Sequence, residues 1–370
     1  MVLVLLNIVS AVAVVTPYWL TDTLSNIYGS LDGPFYVVIA RTWPPYNFDQ
    51  PGSDPFLGFS RYYSLHLYGY PFFIRLAVTV FRSWYLSMLI VSVTFSTLAL
   101  LVFYRLARDF NYSTNPFLVS LVWMFLPVWY NYRVKGASEP TFLFFLLASF
   151  YLYKQGRYPA SAFMGALASV TRIQGILALP AYAILLYRER RCEQIVWYLL
   201  IPLALGIHFA WYHLTYGDAL IYFKVQQSFS IKASMGKEGF NPIPLSLLWD
   251  ALDFPTSFYY QKSNYAVPFV VYVLATYYVY GLSIWRLRKN HEDLAIFSLP
   301  FFLFITLFIN HQAIARYMLP FFAMPLGYDD YLTSSKIKPW IPFFIGCSYF
   351  YTLGMMTLAW LTPDKLGGIL

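Results

Sequence analysis

The chain has 370 residues, of which 59% are hydrophobic, 21% aromatic and 11% charged. Soluble globular domains carry about 25% charged residues, so this composition excludes an ordinary soluble domain and indicates a membrane protein with several spans. The formal net charge is +8, but in such a protein the position of the charges matters more than their sum. No nucleic-acid partner is expected. The two cysteines, Cys192 and Cys347, have no metal-ligand spacing, so neither a disulfide framework nor a metal site is predicted.

The first apolar run has two interpretations. Residues 2–15 resemble the core of a signal peptide, and residues 11–13 (Ala-Val-Ala) resemble a cleavage site. No Lys or Arg precedes the run, whereas a signal peptide begins with positive charge. We therefore predict that the run is retained as the first membrane span.

Further apolar runs follow along the chain, and a span needs about 20 such residues. The sequence predicts about eleven helices, near residues 2–20, 86–104, 116–131, 139–153, 158–171, 173–187, 195–214, 265–285, 294–310, 314–331 and 340–361. The predicted fold is all-α, a polytopic transmembrane helix bundle that forms one integral-membrane domain over residues 1–370.

The Lys and Arg residues of the short loops predict the orientation, because such loops are cytoplasmic when they are basic. These residues are Arg105, Arg108, Lys154, Arg157, Arg188, Arg190, Arg191, Arg286, Arg288, Lys289, Lys336 and Lys338. The N-terminus is then inside. Two long segments, 21–85 and 215–264, lie on the opposite, outer side. Residues 68–77 and 219–226 within them read as amphipathic interfacial helices, and long ordered loops on one face often build a site.

Two central runs, 139–153 and 158–171, are short for a membrane span. They span about 22 Å as helices, against a hydrocarbon core of about 30 Å. A bundle with short helices at its centre has a pit, which we predict on the outer side.

Acidic residues stand at the start of two predicted helices. Asp32 either caps an interfacial helix, as Asp often does, or acts as a catalytic base at the membrane surface. Glu139 either meets the positive end of a helix capped by Ser138 and begun by Pro140, or binds a sugar hydroxyl or a metal at the floor of the pit.

Basic residues on the same predicted side suit an anion. Arg172 either reaches the interface or pairs with Glu139, or it clamps phosphate oxygens. A second candidate site for an anion comprises Arg316, Tyr317 and His311. Lys224, Lys232 and Lys237 of the second loop more often belong to a solvated face than to a phosphate site.

The predicted topology brings these scattered residues to the outer side: Asp32, Glu139, Arg172, Asp218, His311 and Arg316. A carboxylate near the membrane can take a proton from an acceptor hydroxyl, and arginines can stabilise charge on a leaving phosphate. Aromatic residues of the outer loops either stack on sugar rings or form an interface belt, the more common role; they include Trp43, Tyr46, Tyr62, Tyr63 and Trp249.

Four segments resemble motifs of one family, in the expected order and over most of the chain. They are residues 31–40 (Leu-Asp-Gly-Pro-Phe-Tyr-Val-Val-Ile-Ala), residues 137–142 with 165–175, residues 216–226 and residues 315–320 (Ala-Arg-Tyr-Met-Leu-Pro). They are similar to the GT-C superfamily of membrane glycosyltransferases, and within it to the PIG-V-like mannosyltransferases that use dolichyl-phosphate mannose. Three features depart from the pattern. Leu31 replaces a common Trp, Ala219 replaces a usual Pro, and the acids nearest to Asp32 in the loop are Asp49 and Asp54.

The resemblance implies an inverting transfer of a hexose, with mannose as the expected sugar, from a polyprenyl or dolichyl phosphate to a lipid- or glycan-linked acceptor on the non-cytoplasmic face. It implies Asp32 as the base, with no cofactor expected. The residues implied or predicted to bind donor or substrate are Glu139, Arg172, Arg316, Tyr317, His311, Tyr36, Arg41, Asp218, Gln226 and Lys224. Two alternatives stay open: a transporter or flippase for a lipid-linked or small polar substrate, and a non-catalytic membrane subunit.

Overall fold

A computed structural model describes residues 1–30, 32–43, 60–232, 239–240, 243–252, 266–311 and 313–357. Several residues named above lie outside these ranges: Leu31, Tyr46, Asp49, Asp54 and Lys237, and with them the side chains of Tyr62 and Lys232.

Helices form most of the described chain, which confirms the mainly helical fold. They are α1 (Val2–Leu20), α2 (Leu24–Tyr28), α3 (Gly33–Thr42), α4 (Gly69–Phe81), α5 (Trp84–Asp109), α6 (Pro116–Met124), α7 (Pro127–Arg133), α8 (Glu139–Lys154), α9 (Tyr158–Thr171), α10 (Ala178–Arg188), α11 (Ile195–Tyr198), α12 (Leu200–Tyr216), α13 (Ile221–Lys232), α14 (Ser246–Leu252), α15 (Ala266–Asn290), α16 (Glu292–Phe308), α17 (Ile314–Tyr317), α18 (Asp329–Leu332) and α19 (Ile341–Thr357). Short 3-10 helices cover Ser60–Leu65, Ile173–Leu177, Cys192–Gln194, Met324–Tyr328 and Lys338–Trp340. Strand β1 (Gly239–Phe240) pairs antiparallel with β2 (Ile309–Asn310).

Among the residues that the structure describes, four helical stretches are long and apolar enough to cross a membrane. They are Val2–Leu20, Trp84–Asp109, Cys192–Tyr216 and Phe269–Asn290. These stretches support a membrane protein, whereas the total of eleven spans stays a prediction.

Prolines interrupt two of the predicted spans. Residues 116–131 divide into α6 and α7 before Pro127, and Leu126 has a non-helical backbone (φ −55°, ψ 125°). A residue that precedes proline is pushed out of the helical region. Residues 314–331 hold only short helical pieces, since Pro320 and Pro325 lack the N–H that a continuous helix requires.

The described chain packs as two compact units. Unit 1 comprises Met1–Ile176, Val196–Ala219 and Asp329–Leu370, and unit 2 comprises Leu177–Ile195 and Leu220–Tyr328. The single domain over residues 1–370 therefore stays a prediction.

Each unit has its own helix packing. In unit 1, α8 packs against α5 and α9, and α12 covers α9. Most side chains of α8 are buried, which agrees with its predicted central position. In unit 2, α16 packs against α10 and α15, and α15 also contacts the 3-10 helix Met324–Tyr328.

Candidate functional site

Asp32 lies at the N-terminus of α3, but its side chain makes no capping hydrogen bond. The expectation of a side-chain cap is therefore wrong. Its Oδ1 atom lies 3.8 Å from Nε2 of His66, and the side chain of Asp32 is 24% exposed. The carboxylate thus lies near a histidine and is partly accessible from outside the protein. A catalytic base needs this accessibility, because the acceptor hydroxyl must reach it.

His66 follows the 3-10 helix Ser60–Leu65 and is buried. Its ring lies 5.5 Å from the ring of Phe35 and 4.9 Å, edge to face, from that of Tyr36. Sequence reasoning missed this residue, because a single histidine in a long loop has no recognisable spacing. The signal that existed was its place in the predicted outer segment 21–85, which holds one of only five histidines in the chain.

Tyr36 connects the Asp32 region to α8. Its hydroxyl donates a hydrogen bond of 2.8 Å to Oγ of Ser138. The same Oγ accepts a bond of 3.0 Å from Nη1 of Arg172. Ser138 stands at the N-cap position of α8 but makes no capping bond with its side chain. The predicted cap is thus wrong, since longer-range partners take this hydroxyl.

Glu139 and Arg172 form an ion pair, one of the alternatives that the sequence left open. Nη1 of Arg172 lies 2.9 Å from Oε1 of Glu139, and the side chains are 15% and 2% exposed respectively. The pair joins two helices, since Glu139 is the first residue of α8 and Arg172 directly follows the last residue of α9.

The electrostatics of Tyr36 show that three charges surround one hydroxyl. Burial raises the pKa of Tyr36, the negative charges of Asp32 and Glu139 raise it further, and the positive charge of Arg172 opposes them. The phenol therefore stays protonated and donates to Ser138. The structure thus brings together Asp32, Tyr36, Glu139 and Arg172, four of the predicted site residues.

Close backbone approaches hold the elements of this cluster in place. A Cβ atom on Gly136 would lie 3.0 Å from Cα of Gly33 and nearer still to Sδ of Met88. A Cβ atom on Gly69 would lie 2.8 Å from Cα of Thr171. The first approach joins the start of α3 to the segment before α8, and the second joins the start of α4 to the end of α9. Larger residues at these glycines would separate the elements that carry Asp32, Glu139 and Arg172.

Two other predicted residues belong to unit 1. Arg41 lies in the last turn of α3 and is exposed. Asp218 is half-buried and follows Gly217, whose positive φ of 72° ends α12. Their predicted roles in substrate binding stay predictions.

The remaining predicted residues belong to unit 2. Nδ1 of His311 accepts a bond of 2.9 Å from N of Ala313, and its ring lies 5.0 Å from that of Tyr317. Arg316 is half-buried in the same short helix, α17. Lys224 is exposed on α13 and Gln226 is half-buried there. The predicted gathering of these residues with Asp32 in one basin stays a prediction.

Arg133 is a buried cation that sequence reasoning missed. Its Nη1 donates a bond of 2.6 Å to Oδ1 of Asn7, and its Nη2 donates one of 2.7 Å to Oγ of Ser10. The guanidinium also lies 4.3 Å from the ring centre of Tyr130. Asn7 and Ser10 are polar residues three apart in the first apolar run, a spacing that puts them on one helix face and signals a polar partner.

Within the described residues, no group of three or more His, Cys, Asp or Glu side chains could hold a metal ion. The prediction that the site needs no metal is not tested by this observation.

Comparison of the sequence with the models of known protein families gave no match, and comparison with curated proteins gave none. The site geometry and the motif resemblance are therefore the basis of the function proposed below.

Proposed function

We propose that this chain is an inverting glycosyltransferase of the GT-C type, which moves a hexose, most simply mannose, from a polyprenyl or dolichyl phosphate to a hydroxyl of a lipid- or glycan-linked acceptor. In this proposal the chain crosses the membrane about eleven times, with its N-terminus in the cytoplasm. The site around Asp32 then opens to the non-cytoplasmic face and to the membrane lipids that carry the donor.

Asp32 acts as the general base. Its carboxylate removes the proton of the acceptor hydroxyl as that oxygen attacks the anomeric carbon of the sugar. A new bond forms between the carbon and the acceptor oxygen, while the bond to the phosphate oxygen breaks. The phosphate leaves with the electron pair of that bond, and the proton stays on Asp32 until solvent removes it.

Arg172 stabilises the charge that develops on the leaving phosphate. A guanidinium matches the geometry of phosphate oxygens and keeps its charge at any physiological pH, and a fixed cation in a partly buried site is effective because little solvent reorganises around it. Glu139 and Ser138 hold this guanidinium through bonds of 2.9 Å and 3.0 Å to Nη1.

The observation that most directly supports this proposal is the hydrogen bond of 2.8 Å that Tyr36 donates to Ser138. It joins the helix that begins directly after Asp32 to the ion pair of Arg172 and Glu139. A base and a cation then share one polar cluster in unit 1. A base for the acceptor and a cation for the leaving group are the two functions that this transfer demands.

The test is a transfer assay with the purified full chain in detergent. The protein is incubated with polyprenyl-phosphate mannose or polyprenyl-phosphate glucose and a membrane extract that supplies acceptors, and released polyprenyl phosphate is measured by mass spectrometry. We expect release that depends on the chain and is lost in D32N. No consumption of either donor by the wild type, or full turnover by D32N, would refute the function.

A further inference from the structure

His66 is positioned by packing rather than by its own loop alone. The imidazole packs against both Phe35 and Tyr36, with ring centres at 5.5 Å and 4.9 Å. Both aromatic residues belong to α3, the helix that begins directly after Asp32. The ring and the carboxylate therefore share one rigid support, although they lie on different segments of the chain.

The imidazole is the more deeply buried member of the pair. The side chain of His66 is 6% exposed and that of Asp32 is 24% exposed, so the carboxylate stays partly accessible beside a nearly buried histidine. The separation of 3.8 Å between Nε2 and Oδ1 lies within ion-pair range and is longer than a hydrogen bond. Contacts of catalytic groups are often long without substrate and shorten when it binds.

We infer that His66 is a positioning residue for Asp32, which orients the carboxylate toward the acceptor hydroxyl through its Nε2 atom; this inference rests on the transferase function proposed above. A short carboxylate side chain with partial exposure can occupy several rotamers. An imidazole packed against two aromatic rings favours the rotamer whose carboxylate lies beside Nε2. The attacking oxygen then meets a base that is already aligned, which lowers the entropic part of the barrier.

Two substitutions separate this role from simple packing. His66→Phe keeps an aromatic ring against Phe35 and Tyr36 but has no nitrogen. His66→Gln loses the ring but places an amide N–H near the position of Nε2. The full chain is assayed with polyprenyl-phosphate mannose, and kcat and KM for this donor are measured separately.

We expect H66F to lower kcat by about 10- to 100-fold, the loss typical of a misaligned catalytic group, with little change in KM. H66Q should lose clearly less than H66F. In a D32N background neither substitution should lower the residual rate further, because the group that His66 orients is gone. The matched control is His213, which is exposed on α12; H213F and H213Q should match the wild type.

The opposite order would overturn the inference. If H66Q is more defective than H66F, or if H66F turns over like the wild type, then the ring matters only for packing. The inference would also be overturned if substitution of His66 lowered the rate by the same factor in the D32N background as in the wild type.

A second measurement does not depend on activity. Thermal unfolding midpoints are compared for the wild type, D32N, H66F and the double variant. Residues in contact give non-additive effects, whereas independent sites add, so we expect the double variant to lose less than the sum of the single losses. Additive losses would overturn the inference while leaving the proposed transferase intact. A wild type that shows this coupling but consumes no donor would instead refute the transferase, and with it the positioning role.

Discussion

Arg172 and Glu139 are 33 residues apart in the sequence, yet Nη1 of the arginine lies 2.9 Å from Oε1 of the glutamate. The glutamate side chain is almost fully buried, with 2% exposure. This pair joins the end of α9 to the start of α8, so it sets the position of the guanidinium as well as contributing to the packing of unit 1.

Removal of one partner should destabilise the chain strongly. E139Q or R172Q leaves the other group with a buried, uncompensated charge, and the loss of one member of a buried pair costs about 3–5 kcal/mol. The double variant should lose less than the sum of the single losses, but it should transfer no sugar because the cation is gone. Chemical unfolding in detergent, followed by tryptophan fluorescence, measures the stability.

The exposed pair of Arg188 and Glu292 is the matched control. Its atoms approach to 2.7 Å, but the side chains are 50% and 49% exposed. Because exposed pairs are worth at most about 1 kcal/mol, R188Q should have a small effect. Equal losses for R172Q and R188Q would show that burial of the first pair does not matter.

Substitution of Asp32 by Asn should remove nearly all transfer without unfolding the chain. A general base contributes about 10²- to 10⁴-fold to a rate, and Asp32 makes no capping bond whose loss would weaken α3. Donor turnover and the thermal midpoint are the two measurements.

The same substitution at Asp22 is the control for this variant. Asp22 is exposed and has a positive φ of 54°, a conformation that Asn tolerates well. D22N should therefore behave like the wild type in both measurements. A fall in the thermal midpoint of D32N that accounts for its loss of turnover would contradict the assignment of Asp32 as a base.

Enlargement of Gly136 should disturb the site through the backbone. The added Cβ of G136A would lie 3.0 Å from Cα of Gly33 and would also collide with the thioether of Met88. We expect lower transfer, because Asp32 moves away from Ser138 and Glu139. M88A combined with G136A should restore part of the activity, since it removes the closer of the two obstacles.

Gly206 gives the contrasting case. It lies inside α12, and a Cβ built there would have no other part of the described chain within 4 Å beyond its neighbours and the adjacent helix backbone. Alanine in an open helical position is favoured over glycine by about 0.5–1 kcal/mol. G206A should raise the thermal midpoint slightly, whereas an equal defect in G206A and G136A would contradict the role given to close approach.

Replacement of Arg133 by Met should lower stability. The substitution removes the donors to Asn7 and Ser10, and both acceptors are buried. Each buried polar group that loses its partner costs about 1–3 kcal/mol. Chemical unfolding compares R133M with R288M, at an exposed arginine of α15, where little change is expected; similar losses would exclude a structural role for the buried hydrogen bonds.

Alkaline pH should destabilise the chain partly through Tyr70. Its hydroxyl donates a bond of 3.0 Å to the carbonyl of Met88 and shares one of 2.7 Å with Ser92, and burial raises the pKa of Tyr70. The unfolded chain therefore loses this proton first, near pH 10. The stability is present below that pH and falls as the pH rises further.

The substitution Y70F removes this ionisation, so its unfolding midpoint should fall less steeply than that of the wild type between about pH 10 and pH 11. Tyr187, which is 75% exposed, supplies the control substitution Y187F. An unchanged slope in Y70F, or an equal change in Y187F, would contradict this prediction.

Local sequence determined where the central helices lie. The predicted runs 139–153 and 158–171 correspond to α8 and α9, Glu139–Lys154 and Tyr158–Thr171. Continuous apolar stretches, a proline in the first turn of each helix, and the left-handed Gly156 between them are local signals that act within a few residues. The helix breaks at Pro127 and Pro320 also have a local cause, the geometry of proline. The apolar runs gave no sign of these breaks, because hydropathy does not register backbone geometry.

Only the tertiary structure decided what the polar side chains contact. Ser138 and Asp32 occupy positions that favour capping, but Ser138 bonds Tyr36, 102 residues away, and Arg172, 34 residues away. His66 and Arg133 carried little local signal, since their partners lie on distant segments of the chain. Capping propensity describes how well a side chain hydrogen-bonds to its own nearby backbone. A packed site also offers hydrogen-bond partners from distant segments of the chain. Those partners prevail where burial makes an unmet hydrogen bond costly.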